Sequence, residues 1–303
     1  MADFFSVQDI SLCLGGRQIL DHVSFSVDTP GRVIGLLGPN GGGKTTLLRA
    51  ICGELPHDGH VFLEGAELAG LRSKELARRV SYIPQQSGIS ISMSALDVVL
   101  MGFYSRLKLF EQPSAKMREA ALQALASVGM DDFANRDYLT LSGGEQQLVI
   151  LARTLIEDTS LLLFDEPDSS LDLGNKYRMM GLVADMVHAA RGSGGSVSRT
   201  CFFSPEEGSE TDTVLDMPYL QSEHAFAGKT AILCLHDPTL ALAYCDILLL
   251  LKDGRLIHTL HPKTDPIAVM EQAFSDIYGE VRLVPVPDPS NCAGNRLILL
   301  PIL

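Results

Sequence analysis

Residues 38–46 read Gly38-Pro39-Asn40-Gly41-Gly42-Gly43-Lys44-Thr45-Thr46, a glycine followed four residues later by Gly-Lys-Thr. Five residues before it, Val33-Ile34-Gly35-Leu36-Leu37, form a short apolar run that predicts a buried strand. The stretch from Thr45 to Glu54 predicts a helix. A strand, a glycine-rich turn and a helix in this order leave little choice of local fold. Glycines let the backbone curl closely with its N–H groups turned inward, and the helix adds its positive end. Such a turn is a cradle for phosphate. Lys44 is expected to reach the β- and γ-phosphates, and the Thr45 hydroxyl to bind Mg²⁺.

The rest of the chain repeats the strand-then-helix pattern. Residues 4–14 and 18–27 predict two strands joined at Gly15-Gly16, with Val23, Phe25 and Val27 alternating with serines. A short strand follows Asp58-Gly59, a helix is expected over 73–79, and Val80-Ser81-Tyr82-Ile83 reads as another strand. Residues 94–135 are mainly helical in pattern, with Met117, Ala121, Leu125 and Val128 on one stripe and Leu122 beside them. Leu161-Leu162-Leu163-Phe164 is a buried-strand run ending in Asp165-Glu166-Pro167. A helix is expected from there to about residue 191. Strand patterns return at 231–235 and 247–251, with a turn at Lys252-Asp253-Gly254-Arg255. The last forty or so residues carry several prolines and no clear pattern. Apolar strands alternating with helices imply an α/β fold with a mainly parallel sheet covered on both faces. Ligands then gather at the carboxyl ends of the strands, where Gly38 and Asp165 both fall.

Composition narrows the function. The net charge is −13, from 24 Lys and Arg against 37 Asp and Glu, which argues against broad contact with nucleic acid or anionic lipid. The six cysteines include no Cys-x-x-Cys pair, so neither a disulfide framework nor a zinc site is indicated, and Cys234 and Cys245 read as packing residues. The beginning Met1-Ala2-Asp3-Phe4-Phe5 lacks the features of a signal peptide. The apolar stretch 240–251 is too short to span a bilayer as a helix and is broken by Asp246. The expectation is a soluble protein of a reducing compartment.

Two more groups carry chemistry. A carboxylate at a strand end, Asp165, can help hold Mg²⁺, and Glu166 beside it suits a general base or a group that polarises the attacking water. Ser142-Gly143-Gly144-Glu145 fits a capping box, with Ser at the N-cap and Glu three residues on. Its paired glycines also expose backbone N–H groups at a helix start, a second anion site.

Taken together, Gly38–Thr46, Leu141–Gln147 and Leu161–Pro167 resemble the three defining motifs of ATP-binding-cassette (ABC) ATPase subunits. The Leu-Ser-Gly-Gly-Glu-Gln run is highly specific to that family. Gln85 matches the Q-loop glutamine, Ser170-Leu171-Asp172 the D-loop, and His236 the switch histidine. The resemblance runs from about residue 4 to 257. It implies a P-loop ATPase core, an N-terminal antiparallel β subdomain, and an inserted helical subdomain over about 86–157. A C-terminal extension would occupy 258–303. The resemblance further implies that two copies pair head to tail. In each ATP site Lys44, Thr45, Gln85, Asp165, Glu166 and His236 would act from one copy, and Ser142, Gly143 and Gly144 from the other. The cofactors implied are ATP and Mg²⁺, the metal on Thr45, Gln85 and Asp165. Gly38, Pro39, Asn40, Gly41, Gly42, Gly43, Lys44, Thr45 and Thr46 would hold the nucleotide.

The chain departs from the family in three places. Leu14 stands where relatives stack an aromatic residue on adenine, so base affinity and selectivity are in question. Gln146 and Gln147 follow Glu145 where many relatives carry arginine. Residues 193–226, rich in Ser, Gly and Glu, lengthen the path from Asp165 to His236; they read as a surface insertion or a docking element. Asp97–Gly102, Ser170–Asn175 and His236–Ala241 look like the importers of iron chelates, haem or cobalamin. Such a subunit docks as a peripheral protein on the cytoplasmic face of an integral-membrane permease. An extracytoplasmic solute-binding protein would be an indirect partner, and no nucleic acid is expected. The alternative, a soluble ABC ATPase for DNA repair or translation, is disfavoured. Only 98 positions separate Lys44 from Ser142, with no sustained heptads, and there is one cassette.

Overall fold

Apolar alternation decides the architecture. β1 (Phe5–Leu14) and β2 (Arg17–Val27) pair antiparallel around the Gly15-Gly16 turn. β3 (Val33–Leu37) is wholly buried and leads through the glycine loop into α1 (Lys44–Ile51). β4 (Asp58–Leu63) and β5 (Ala66–Glu67) complete a four-stranded antiparallel sheet in the order β2-β1-β4-β5. A short α2 (Ser73–Leu76) precedes β6 (Val80–Ile83). This helix stops three residues short of the expected 79, because residues 77–79 form a turn.

The computed structural model of the chain describes residues 3–85, 88–108, 110–157, 159–169, 171–188, 229–287 and 295–302. The 193–226 insertion and Ser170 of the D-loop stretch lie outside them.

A group of helices follows β6. It comprises α3 (Ala95–Leu100), α4 (Ala115–Ser127) and α5 (Gly143–Ile156), which pack on one another. Ala121, Leu125 and Val128 are buried as the stripe predicts, whereas Leu122 faces solvent. β7 (Leu161–Asp165), α6 (Leu173–His188), β8 (Thr230–Cys234), α7 (Pro238–Tyr244) and β9 (Ile247–Lys252) complete the core. Strand β10 (Arg255–Leu260) runs through residue 257, so the boundary expected there falls inside a strand. Past it, α8 (Ile267–Tyr278) and an antiparallel ribbon of β11 (Val281–Pro287) and β12 (Asn295–Pro301) give regular structure to the segment that showed no pattern.

The central sheet has the order β10-β9-β3-β8-β7-β6, parallel except for the β9–β10 hairpin. Successive side chains of a strand point to opposite faces. Val33 and Leu37, with Leu162, Phe164, Leu233, Leu248 and Leu250, face the helical side. Ile34 and Leu36, with Leu161, Leu163, Ile232, Cys234 and Leu249, face α1 and the antiparallel sheet. Burying each such side chain contributes about 1.5–3 kcal/mol, which makes the strand order hard to disturb.

A buried carboxylate ties the C-terminal segment to this core. Asp246, just before β9, accepts from Val33 N at 3.0 Å, His188 Nε2 at 2.9 Å and Lys263 Nζ at 2.7 Å. Among the described residues no helix is long and apolar enough to cross a membrane.

Candidate functional site

The loop after β3 has the backbone its glycines permit. Gly38, Gly41 and Gly43 have φ of 150°, 76° and 100°, values that side chains disfavour. At Gly38 a Cβ would overlap the Leu251 carbonyl oxygen, so residue size and backbone angle both demand glycine. The loop is braced by Gly42 N donating to Pro39 O at 3.1 Å and by Gly254 N donating to Gly42 O at 3.1 Å. Gly43 caps α1 with no side-chain bond to the first helical amides, and the first turn of α1 carries no acidic residue. Those amides and the helix dipole therefore favour an anion. Lys44 is buried, and its ammonium donates to Gly38 O at 2.8 Å and Pro39 O at 3.1 Å.

Asp165 and Glu166 meet the loop at the end of β7. Thr45 Oγ1 donates to Asp165 Oδ1 at 2.8 Å, and Tyr82 OH donates to Asp165 Oδ2 at 3.1 Å. Burial, reinforced by the Asp165 charge, pushes the Tyr82 phenol well above its ordinary value, so it stays a donor. Cys234, the register partner of Asp165 on β8, is fully buried, and burial and then Asp165 push its thiol well up. It is therefore no thiolate nucleophile.

Glu166 is one of the few non-glycine residues with positive φ, 49°. Its side chain has partners different from those of Asp165. Gln85 Nε2 donates to Glu166 Oε2 at 2.8 Å, and His236 Nε2 lies 2.8 Å from Oε1. The three residues thus come together from the ends of three strands, β6, β7 and β8. Gln85 was also expected on the metal; the contact seen for it is with Glu166.

Ser142 caps α5 as the sequence predicts. Its hydroxyl accepts from Glu145 N at 3.3 Å, and Glu145 Oε2 accepts from Ser142 N at 2.7 Å. Backbone and hydroxyl donation from Ser142 holds the Glu145 carboxyl below its ordinary range. Gln146, unexplained in the sequence, has a local role: its amide donates to Tyr138 O at 3.1 Å and Leu141 O at 3.2 Å, fastening the turn before the helix. Leu14 ends β1 with its side chain exposed. The sequence reading assigned no role to Tyr82. Its position two residues before Pro84 carried no signal until the strand register placed it beside Asp165.

A glycine loop closed over a buried lysine, a Thr–Asp pair at its mouth, and a glutamate held by glutamine and histidine define a P-loop nucleoside-triphosphatase site. The comparisons extend this to a family. A family model described as ABC transporter matches residues 20–169. The hemin import ATP-binding protein HmuV of Bordetella bronchiseptica is 35% identical over 267 residues, covering 85% of this chain and 86% of that protein. The cobalamin import ATP-binding protein BtuD of Halobacterium salinarum is 30% identical over 304 residues, covering 96% of this chain and 66% of that one. Among solved structures, MJ1267, an ATP-binding cassette of an ABC transporter, has a TM-score of 0.70 at 22% identity, covering 92% of this chain and 99% of that one. The chain belongs to the ABC transporter family as an ATP-binding subunit, and it is an ATP hydrolase.

Proposed function

We propose that this chain powers the import of a metal chelate of the haem or cobalamin type, docked on the cytoplasmic face of a separate permease. The observation that carries the enzymatic half is the clamp on Glu166 beside the Thr45–Asp165 pair. The transport half is supported by relatives named for hemin and cobalamin import.

ATP sits with its phosphates in the 38–46 loop, and Lys44 neutralises the β- and γ-phosphates. Thr45 and Asp165, joined by Gln85, are hard oxygen donors of the kind Mg²⁺ prefers, and they would hold it. When bound, that ion neutralises charge on the phosphate oxygens. Glu166 takes a proton from water as the water oxygen bonds to the γ-phosphorus. The bond from that phosphorus to the bridging oxygen breaks, and ADP leaves with the electron pair. His236 and Gln85 orient Glu166, so the step rests on positioning and charge stabilisation. Ser142, Gly143 and Gly144 supply the α5 amides to the nucleotide of a second copy.

A cavity of about 480 Å³ opens between α2 and residues 104–113, lined by Lys74, Tyr104, Leu107 and Phe110 among others. Phe110 is 92% exposed and Tyr104 57%. Lys108, Glu111 and Gln112 also line it, so the groove pairs exposed rings with charged and polar groups, a mixture that suits a permease segment. An extracytoplasmic solute-binding protein would act through that permease.

Glu166→Gln tests the site. It keeps size and one acceptor oxygen but cannot take a proton. ATP binding should persist while turnover falls by a factor of about 10²–10⁴, the usual share of a general base. The ATP-bound variant should sediment as a two-fold dimer. Wild-type turnover, or an ATP-bound monomer, would refute the assignment. Co-purification with a polytopic membrane protein tests the transport half; a ribosome or DNA in its place would overturn it.

A further inference from the structure

The side of the sheet facing α1 carries one polar contact that the proposed reaction does not use. Val80 and Tyr82 of β6 share that face, since Val80 belongs to the core beneath α1 and Tyr82 packs against it. β6 runs parallel to β7, with Tyr82 opposite Leu163. Asp165 lies two residues beyond Leu163 and so points to the same face. Diagonal neighbours of this kind are about 7–8 Å apart at Cα, a gap that only a long side chain closes. The phenol closes it, and its hydroxyl donates to Asp165 Oδ2 at 3.1 Å. The other carboxylate oxygen, Oδ1, accepts from Thr45 at 2.8 Å.

Asp165 is therefore gripped from both sides, by α1 through one oxygen and by β6 through the other. Of the two donors, Thr45 is in the loop that handles nucleotide. Tyr82 is on a strand, and its ring is packed. A carboxylate with one oxygen fixed by a strand has little freedom to rotate, and its second oxygen keeps its aim.

We infer that Tyr82 is a positioning residue for the metal-holding carboxylate: by binding Asp165 Oδ2 it commits Oδ1 to the mouth of the phosphate loop, where Thr45 and the divalent ion of the nucleotide meet. This rests on the reading of Asp165 as a Mg²⁺ ligand. On this reading Tyr82 acts only through Asp165. Its effect is on how strongly Mg²⁺ strengthens nucleotide binding.

The test uses the full chain carrying Glu166→Gln, so that nucleotide is bound without turnover, and a fluorescent ATP analogue as probe. Affinity is measured in excess Mg²⁺ and in EDTA, and the ratio is the Mg²⁺ increment. Tyr82→Phe removes only the hydroxyl. A charge-assisted hydrogen bond of this kind sets the scale, and the increment should fall about tenfold while the affinity in EDTA stays unchanged. The EDTA affinity doubles as the control for folding, and Tyr82→Met is a second variant read the same way. Mn²⁺ binding to the nucleotide complex, followed by its electron paramagnetic resonance, should weaken in parallel. An unchanged increment in both variants would overturn the inference. So would an equal loss of affinity with and without Mg²⁺, because that is damage to the loop and not to the carboxylate. Asp165→Asn separates the two levels of the claim. If it leaves the increment intact, the reading of Asp165 fails and this inference with it. If it abolishes the increment and Tyr82→Phe does not reduce it, only the role of Tyr82 fails.

Discussion

Replacing Asp246 with alanine should cost the fold about 2–4 kcal/mol, and the sources of that cost are unequal. The Asp246 side chain is 2% exposed and accepts three hydrogen bonds. The Val33 N–H is buried at the start of the central strand, and without its acceptor it costs about 1–3 kcal/mol. The Lys263 side chain is 67% exposed, so its ammonium rehydrates and its pairing contributes under about 1 kcal/mol after solvent screening. His188, 31% exposed, rehydrates in part. With a urea m-value of about 3 kcal/mol/M, the midpoint of Asp246→Ala should fall by about 1 M, and that of Lys263→Ala by about 0.3 M or less. The pH dependence follows from the same contacts. Burial alone would raise the Asp246 pKa, but donation from His188, Lys263 and Val33 outweighs it and holds the carboxyl well below its ordinary range. A depressed folded value means that the stabilisation is fully present above the unfolded pKa of about 3.9 and is lost as pH falls through the folded one. The gap between wild type and Asp246→Ala, measured by urea unfolding from pH 7 to pH 3, should be constant down to about pH 4 and narrow below it. Equal losses for Lys263→Ala and Asp246→Ala would refute the argument, since the ion pair and not the buried amide would then carry the energy.

Two further substitutions probe the nucleotide site. Gly38→Ala sets a methyl group against the Leu251 carbonyl at a backbone angle that alanine disfavours, so nucleotide binding measured by fluorescence titration should be lost; retained affinity would show that the loop adapts. Leu14→Tyr supplies a ring for the base, and since stacking contributes about 1–3 kcal/mol, ATP affinity should rise by a factor of about 5 to 150; no change would mean that the end of β1 does not meet the base.

What the sequence made legible is what is local. The 38–46 loop, the capping box at Ser142 and the apolar strands β3, β7, β8 and β9 all declare themselves within a few residues. The C-terminal ribbon did not, because Pro285, Pro287 and Pro301 argue against strands. The structure shows why they are tolerated. Val281 N donates to Ser275 Oγ and Leu283 N to Glu271 Oε1, so N–H groups at these alternate positions point outward to α8 and not across the ribbon. Pro285 and Pro287 continue that alternation, and Pro301 pairs with Val281. Tyr82 and Asp246 were hidden for a different reason. Each owes its partners to strand register and to contacts as far as 213 positions apart. Leu122 stands beside a helical stripe in sequence and is exposed, just past the edge of the buried face.

The placement of β3 has a consequence for how the protein is made. This strand precedes both its neighbours in the chain by a wide interval, since β8 and β9 begin only at Thr230 and Ile247. The bond that braces Gly42 waits for Gly254. On the ribosome, an apolar five-residue segment must therefore persist with two open edges while nearly two hundred residues emerge, a state that invites chaperones or self-association. The phosphate loop therefore reaches its braced form only after the turn between β9 and β10 has been made.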